Sequence, residues 1–229
     1  MTNPVHPATR IGHVHLKVAD LDRAIAFYSG VLGFQVTQKY GRQAAFLSAG
    51  GYHHHIGLNT WESRNGTPPP PGHTGLFHTA FLYVDRAQLA DALRRLVEAG
   101  IPLDGASDHG VSEAIYLRDP DGNGVELYRD RAEADWPRNA KGELEMVNSP
   151  LDLQALLDEA GATPDLLRRV SQMIVVLGGT PDIAEEQAGA AHQPDLVAVL
   201  DLQAAVEESH RGGGAAQPRW RPSRTAKIR

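Results

Sequence analysis

The stretch IGHVHLKVADL, residues 11–21, begins a pattern that the chain uses twice. Apolar and polar residues alternate along most of it, which predicts a strand, and Asp20 is a residue that often caps a helix. The predicted helix ends near Gly33 and buries one face, which carries Leu21, Ala24, Ile25 and Tyr28. FQVTQKY and AAFLSAG predict two further strands, and GYHHHIGLNT, residues 51–60, predicts a fourth that contains three histidines.

The same order returns after a proline-rich linker at residues 65–75. LFHTAFLYV predicts a strand, and Asp85 is expected to cap the helix that follows it. The apolar stripe after Asp85 predicts this helix, which Gly100 closes. EAIYLRDPDGNGVELY then predicts a hairpin. His13 and His78 are 65 residues apart (78 − 13), and so are Asp20 and Asp85 (85 − 20). The chain is therefore predicted to contain two β-α-β-β-β modules of α+β class, at about residues 9–64 and 75–132.

Composition excludes several classes of protein. The net charge of -6 gives no electrostatic reason to expect nucleic acid as a partner. Apolar runs fall short of the roughly 20 residues that a membrane helix needs, and the N-terminal residues lack the pattern of a signal peptide, so we expect a cytoplasmic protein without membrane contact. With no cysteine and 11 histidines, any metal must be held by nitrogen and oxygen atoms.

The repeat selects candidate metal ligands. If the modules pack about a pseudo-two-fold axis, equivalent histidines from both can converge, which favours His13 and His78. His15 shares a strand face with His13, so strand geometry does not choose between these two histidines. The repeat spacing favours His13. Glu126 stands between the apolar residues Val125 and Leu127, where a carboxylate needs a partner. This carboxylate is therefore hydrogen-bonded, bound to a metal ion, or paired with an arginine such as Arg118 or Arg129.

Three consecutive histidines, His53, His54 and His55, precede Ile56. Their strand-like surroundings, away from either terminus, argue against a purification tag. In a strand, His53 and His55 would share one face and His54 would point to the other. We expect packing or hydrogen-bonding roles for His53 and His54.

IGHVHLKVADLDRAIAFYSGVLGF, FHTAFLYV and DPDGNGVELY resemble the vicinal oxygen chelate superfamily, over about residues 9–160. This superfamily includes glyoxalase I, thiol transferases, bleomycin-binding proteins and extradiol dioxygenases. The resemblance implies paired modules that form a curved mixed sheet around a metal site. It also implies that His13, His78 and Glu126 are the ligands, a set that suits Fe(II) and, in relatives, manganese, zinc or nickel.

YHHHIGLNTW, DHGVSEAIYLRDPDGNGVELYRDR and PLDLQALL are similar to the small catechol 2,3-dioxygenase-like subgroup. This similarity implies catalytic roles for His55, His109 and Tyr116, and implies an extradiol dioxygenase that uses Fe(II), O₂ and a small aromatic diol. A metal-dependent isomerase, a thiol transferase and a non-catalytic drug-binding protein are the alternatives.

Beyond the resemblance, PDLLRRVSQMIVVLGG and PDLVAVLDLQAAVEES predict helices in an extension at residues 163–210. Residues 211–229 are basic and rich in glycine, which predicts a disordered tail. The sequence leaves open the ring substituents of the substrate, the loaded metal and a homo-oligomeric state.

Overall fold

The computed structural model describes residues 4–161 and 163–173 of the 229-residue chain. The first module contains β1 (Val14–Lys17), α1 (Leu21–Ile25), β2 (Gln35–Tyr40), β3 (Ala44–Ser48) and β4 (Ile56–Asn59). The second contains β5 (Thr79–Leu82), α2 (Arg86–Ala99), β6 (Leu103–Asp108), β7 (Ser112–Arg118) and β8 (Gly124–Asp130). The predicted α+β class and the duplicated order are confirmed. The linker at residues 65–75 is irregular and exposed.

Both predicted helix caps are present. The Asp20 side chain accepts hydrogen bonds from two backbone N–H groups at the start of α1, and Asp85 accepts one at the start of α2. The helical path continues after α1 as a π-helix, Ala26–Val31, and the chain then turns at Gly33 with φ 86°. Gly100 closes α2 in the left-handed conformation, with φ 68°.

The strands form two mixed sheets, where the sequence predicted one curved sheet. Their orders are β1-β4-β3-β2 and β5-β8-β7-β6-β9, in which β9 (Ser149–Pro150) is a short strand that the sequence pattern did not predict. β1 pairs in parallel with β4, and β5 in parallel with β8. The first strand of each module therefore lies at the edge of its sheet.

One hydrophobic core serves both modules. The helices and one face of each sheet contribute to a single cluster of buried side chains, including Leu16, Leu47, Leu58, Leu93, Ile115 and Leu127. Because strand side chains alternate between faces, the neighbours of these residues point away from the core.

Two further helices, α3 (Leu153–Glu159) and α4 (Pro164–Met173), contact α2. In the described part of the chain, we find no helix long and apolar enough to cross a membrane. Most of the predicted extension and all of the predicted tail lie outside the described residues.

The turn between β7 and β8 joins the second module to the first. The buried Tyr28 hydroxyl donates to Asp119 Oδ2 at 2.9 Å, and Asp119 also accepts three hydrogen bonds from Asp121 and Asn123. Asp121 Oδ1 accepts from the backbone N–H of Ala19 at 3.0 Å. Burial, followed by the charge of Asp119, raises the pKa of Tyr28, so the hydroxyl remains a donor at neutral pH. The modules are therefore joined on the helix side of the molecule.

A second buried carboxylate lies among three arginines. Glu113 is 4% exposed and contacts Arg86 at 2.8 Å and Arg129 and Arg131 at 3.0 Å each. Arg86 also contacts Glu159 at the end of α3. Burial alone would raise the pKa of Glu113, but hydrogen bonds and charge from Arg129 and Arg86 outweigh it and lower that pKa.

Replacing Tyr28 by Phe removes the hydrogen bond to Asp119 and leaves the carboxylate in place. We expect the free energy of unfolding to fall by about 1.5–3 kcal/mol, the range for a hydrogen bond to a charged group. Urea denaturation measures this loss. Tyr40→Phe is the matched control because Tyr40 is 66% exposed. Equal stability of the two variants would show that the Tyr28–Asp119 bond does not hold the modules together.

Replacing Glu113 by Gln should lower the free energy of unfolding by about 3 kcal/mol at pH 7, because it leaves partly buried arginines without their carboxylate. The native carboxyl has a lowered pKa, so its contribution is present above its ordinary value of 4.5 and is lost as the pH falls through the lower native pKa. The difference from wild type should therefore shrink below pH 4.5 in denaturation series.

Asp165→Asn, in an exposed pair with Arg168, serves as the control and should change little at any pH. A Glu113→Gln difference that does not vary with pH would contradict the role given to this carboxylate.

Candidate functional site

The edge of the second sheet brings His78 and Glu126 together. The β5–β8 pairing places Ala80 opposite Glu126, and His78 lies two residues before Ala80 on the same face. A Cβ atom at Gly124 would lie 2.0 Å from Phe77 O and 3.0 Å from the His78 Cα, so this close approach requires glycine. As a result, His78 Nε2 lies 2.9 Å from Glu126 Oε2.

Tyr116 and His109 extend this pair into a chain of four side chains. Tyr116 is directly opposite Glu126 in the β7–β8 ladder, and its hydroxyl donates to Glu126 Oε1 at 3.2 Å. His109 Nε2 lies 2.8 Å from the same hydroxyl oxygen. Burial first, and then the charge and hydrogen bond of Glu126, raise the pKa of Tyr116. The phenol therefore keeps its proton at neutral pH.

The hydrogen positions in this chain are constrained. His109 Nδ1 lies 3.2 Å from the Val147 carbonyl oxygen, which can only accept, so Nδ1 carries a hydrogen. Tyr116 has one hydroxyl hydrogen and two neighbouring groups able to take it, Glu126 Oε1 and an unprotonated His109 Nε2. The arrangement can therefore pass one proton along the chain by small movements.

The first module holds a separate group of histidines. His13 directly precedes β1, and its ring centroid lies 4.5 Å from that of His54. His53 Nδ1 lies 2.7 Å from His54 Nδ1. Burial, followed by the charges of His13 and His53, lowers the pKa of His54, and burial followed by the charge of His13 lowers that of His15. The lowered pKa of each ring favours its neutral form.

The expected alternation of the three histidines within a strand is wrong. β4 begins at Ile56, and residues 51–55 form the turn that follows Gly50, where φ is 71°. His53 and His54 therefore contact each other, as the expectation of a hydrogen-bonding role allowed. His55 instead accepts a hydrogen bond at Nδ1 from the Ala49 backbone N–H at 3.3 Å, and Ser48 Oγ lies 3.1 Å from the same nitrogen.

The structure thus divides the predicted site residues between two groups. His78, Glu126, Tyr116 and His109 form one connected chain on the second module. His13 and His55 lie on the first, where the His55 carbonyl accepts from the backbone N–H after His13. No three His, Cys, Asp or Glu side chains within residues 4–161 and 163–173 form a group that could hold a metal ion. The assignment of His13, His78 and Glu126 as one ligand set remains a prediction.

Among the described residues, Glu126 does not form the salt bridge with Arg118 or Arg129 that the sequence left open as an alternative. Arg118 pairs with Asp104 at 2.6 Å, and Arg129 pairs with Glu113 at 3.0 Å. Glu126 instead contacts His78 and Tyr116. Its carboxylate therefore faces an imidazole and a phenol on the side of the sheet away from the core.

The donor geometry suits two ligands of one ion. Ligand atoms that each lie about 2.1 Å from a metal at a right angle are about 3 Å apart, close to the separation of His78 Nε2 and Glu126 Oε2. His78 Nδ1 is buried and has no hydrogen-bond partner among the described residues. One imidazole and one carboxylate make two thirds of the facial triad that Fe(II) favours, and a second imidazole is needed to complete it.

Several residues around these groups were not predicted from the sequence. Phe46 and Trp61 flank His15, with ring centroids 6.0 and 5.7 Å away, and Phe46 also lies 4.9 Å from His54. The alternation in AAFLS gave a signal for Phe46, since it stands between core residues. Trp61 lies beyond the end of β4, and Val147 acts through its backbone carbonyl, so no side-chain pattern identifies either.

Residues 10–127, just over half of the chain, match the profile of the Glyoxalase/Bleomycin resistance protein/Dioxygenase superfamily. The catechol-2,3-dioxygenase of Bacillus subtilis (strain 168) is 42% identical over 158 residues, which are 69% of this chain and 54% of that protein. Biphenyl-2,3-diol 1,2-dioxygenase 3 of Rhodococcus globerulus is 33% identical over 121 residues, 53% of this chain and 63% of that protein. The chain thus spans between about half and two thirds of the length of these relatives.

Among solved structures, the lactoylglutathione lyase from Agrobacterium tumefaciens is 28% identical. The match covers 54% of this chain and 96% of that chain, with a TM-score of 0.43.

Proposed function

Because the chain belongs to the Glyoxalase/Bleomycin resistance protein/Dioxygenase superfamily, as its motifs predicted, we propose that it is an extradiol ring-cleaving dioxygenase. Its substrates are a catechol-type diol and O₂, and its metal is Fe(II), with manganese, zinc and nickel as the alternatives. Both oxygen atoms of O₂ enter the ring-opened product, so the reaction needs no other reductant. The activities for which the two dioxygenase relatives are named support this choice within the superfamily.

The observation that carries the proposal is the connected chain His109–Tyr116–Glu126–His78. It combines two groups of metal-ligand type with two groups able to hold or move a proton. The four side chains suit a reaction in which a diol loses protons and oxygen-centred charge develops.

His78 and Glu126 would hold the ion, with His13 as the third ligand. The chemistry that bound Fe(II) supplies is acidification of the diol and electron transfer between ring and O₂. Tyr116 and His109 would hydrogen-bond the substrate oxygens, and the raised pKa of Tyr116 keeps its phenol a donor. His55 would act as acid and base from the first module, where Ala49 N–H donates to Nδ1 and leaves Nε2 to carry the hydrogen.

The direct test is anaerobic reconstitution with Fe(II), followed by a panel of catechols in air. We expect oxygen uptake that matches the formation of a yellow ring-opened product, because each turnover consumes one O₂. Zinc-loaded protein is the control, since zinc has no redox chemistry. Absence of oxygen uptake with every catechol, together with turnover of a thiol adduct, would instead support the isomerase or thiol transferase alternative.

Replacing Tyr116 by Phe tests the role of the connected chain. We expect kcat to fall about 100-fold while the bound iron is unchanged, because the phenol donates a proton or hydrogen bond without being a ligand. Iron content and steady-state oxygen uptake provide the two measurements. The control is Tyr83→Phe, another half-buried tyrosine outside the chain of four. Loss of iron, or an unchanged kcat, would contradict the assignment.

A further inference from the structure

His109 lies in a tight turn between β6 and β7. Its backbone N–H donates to the Ser112 carbonyl at 2.9 Å, and Gly110 at the tip of the turn has φ 74°. Turns of this kind are usually among the more mobile parts of a protein. A ring whose Nε2 lies 2.8 Å from the Tyr116 hydroxyl therefore needs support from outside the turn.

One support comes from Val147, which contacts His109 twice. The Val147 N–H donates to the His109 carbonyl at 3.1 Å, and the Val147 carbonyl lies 3.2 Å from Nδ1 of the ring. Pro137 packs against the tip of the turn, since a Cβ atom at Gly110 would lie 2.6 Å from Pro137 Cγ. These contacts place a hydrogen on Nδ1 and cover one side of the turn.

The second support comes from Asp108, the residue before His109. Asp108 Oδ1 accepts from the Gly110 N–H at 2.8 Å, and Oδ2 accepts from Arg131 Nη2 at 2.5 Å. The Arg131 backbone N–H also donates to the Val111 carbonyl at 2.8 Å. The side chains of Asp108 and Arg131 are 27% and 29% exposed, so salt screens this ion pair less than it screens a pair on the open surface.

Arg131 is itself held by the buried Glu113. Arg131 Nη2 lies 3.0 Å from Glu113 Oε1, and Glu113 directly opposes Asp108 in the β6–β7 ladder. Glu113 lies on the helix side with its other partner Arg129, whereas Tyr116, three residues along β7, lies on the opposite face. Asp108 therefore connects the buried charges on the helix side to the turn that serves the other face of the sheet.

We propose that Asp108 and Arg131 are positioning residues, which hold the His109 imidazole with Nε2 directed at the Tyr116 hydroxyl. Without the ion pair, the Asp108 carboxylate is free to leave the Gly110 N–H, and the turn gains conformations in which the ring and the phenol do not meet. Misplacing a group by 1 Å can lower a rate by about 100-fold. The effect on turnover rests on the proposed function, whereas the position of the ring does not.

The kinetic test is a double-mutant cycle between Arg131 and His109. We expect Arg131→Gln to lower kcat about tenfold with the iron content unchanged. Added to His109→Ala, the same change should lower kcat by less than about twofold, because no ring is left to position. Arg131→Lys keeps the charge and should recover part of the lost rate. Equal losses in both backgrounds, or no loss in either, would overturn the positioning role.

The matched control is Arg129→Gln. Arg129 contacts Glu113 at 3.0 Å, and within the described residues it makes no hydrogen bond or ion pair with the turn that carries His109. It should lower stability as Arg131→Gln does, yet leave kcat within about twofold of wild type. A tenfold loss in this control would overturn the positioning role in favour of a general loss of stability.

A milder variant, Asp108→Asn, carries the test if Arg131→Gln does not fold. Its amide oxygen can still accept from the Gly110 N–H, so the change removes only the charge that Arg131 contacts. We expect a loss of kcat that again disappears in the His109→Ala background. A loss that persists there would overturn the positioning role.

Nuclear magnetic resonance of the ring nitrogens tests the position without any turnover. The sample is zinc-loaded protein labelled with ¹⁵N-histidine, in which the His109 signals are identified by their loss in His109→Ala. Wild-type signals should show a hydrogen fixed on Nδ1, and Arg131→Gln should move them toward the average of the two tautomers. Unchanged signals would overturn the positioning role. This shift in a protein that takes up no oxygen with catechols would support the positioning role and overturn the proposed function.

Discussion

The common hydrophobic core occupies one face of each sheet, and this constraint decides which side chains lie on the opposite faces. Leu16 and Leu127 belong to this core, so their neighbours His15 and Glu126 must lie on the opposite faces. Polar and ionisable side chains can collect on those faces without entering the core, where an unpaired carboxylate would be costly. The two sheets thus each present a polar surface, and the candidate site is built from these surfaces.

Glu126 has the central place on the second sheet. The parallel pairing of β5 with β8 brings His78 to one of its carboxylate oxygens, and the antiparallel pairing of β7 with β8 brings Tyr116 to the other. Backbone register, which the core side chains fix, therefore sets the distances between the polar groups. A site supported in this way depends little on flexible loops, apart from the turn that carries His109.

The sequence predicted the modules well because their signals are local. Asp20, Asp85 and Gly100 act within a single turn of helix, and the repeat spacing depends on counting alone. His78 was selected by the repeat spacing and Glu126 by its place between apolar residues, and the structure places these two side chains in contact. What the sequence could not provide was long-range placement. The histidine triplet was predicted to lie in a strand, but these residues belong to the turn that follows Gly50. Val147 contributes only its backbone carbonyl, which no pattern of side chains can identify. The division of the strands into two sheets likewise depends on packing between modules.

The central proposal is that Glu126 and His78 bind a redox-active ion. The most direct measurement is a crystal structure of the iron-loaded protein, with the metal located by its anomalous scattering. We predict one iron atom per chain, bound by His78 Nε2 and a Glu126 oxygen, with the His13 ring as the third ligand. Iron bound by His13 with His53 or His54, away from Glu126, would contradict the account.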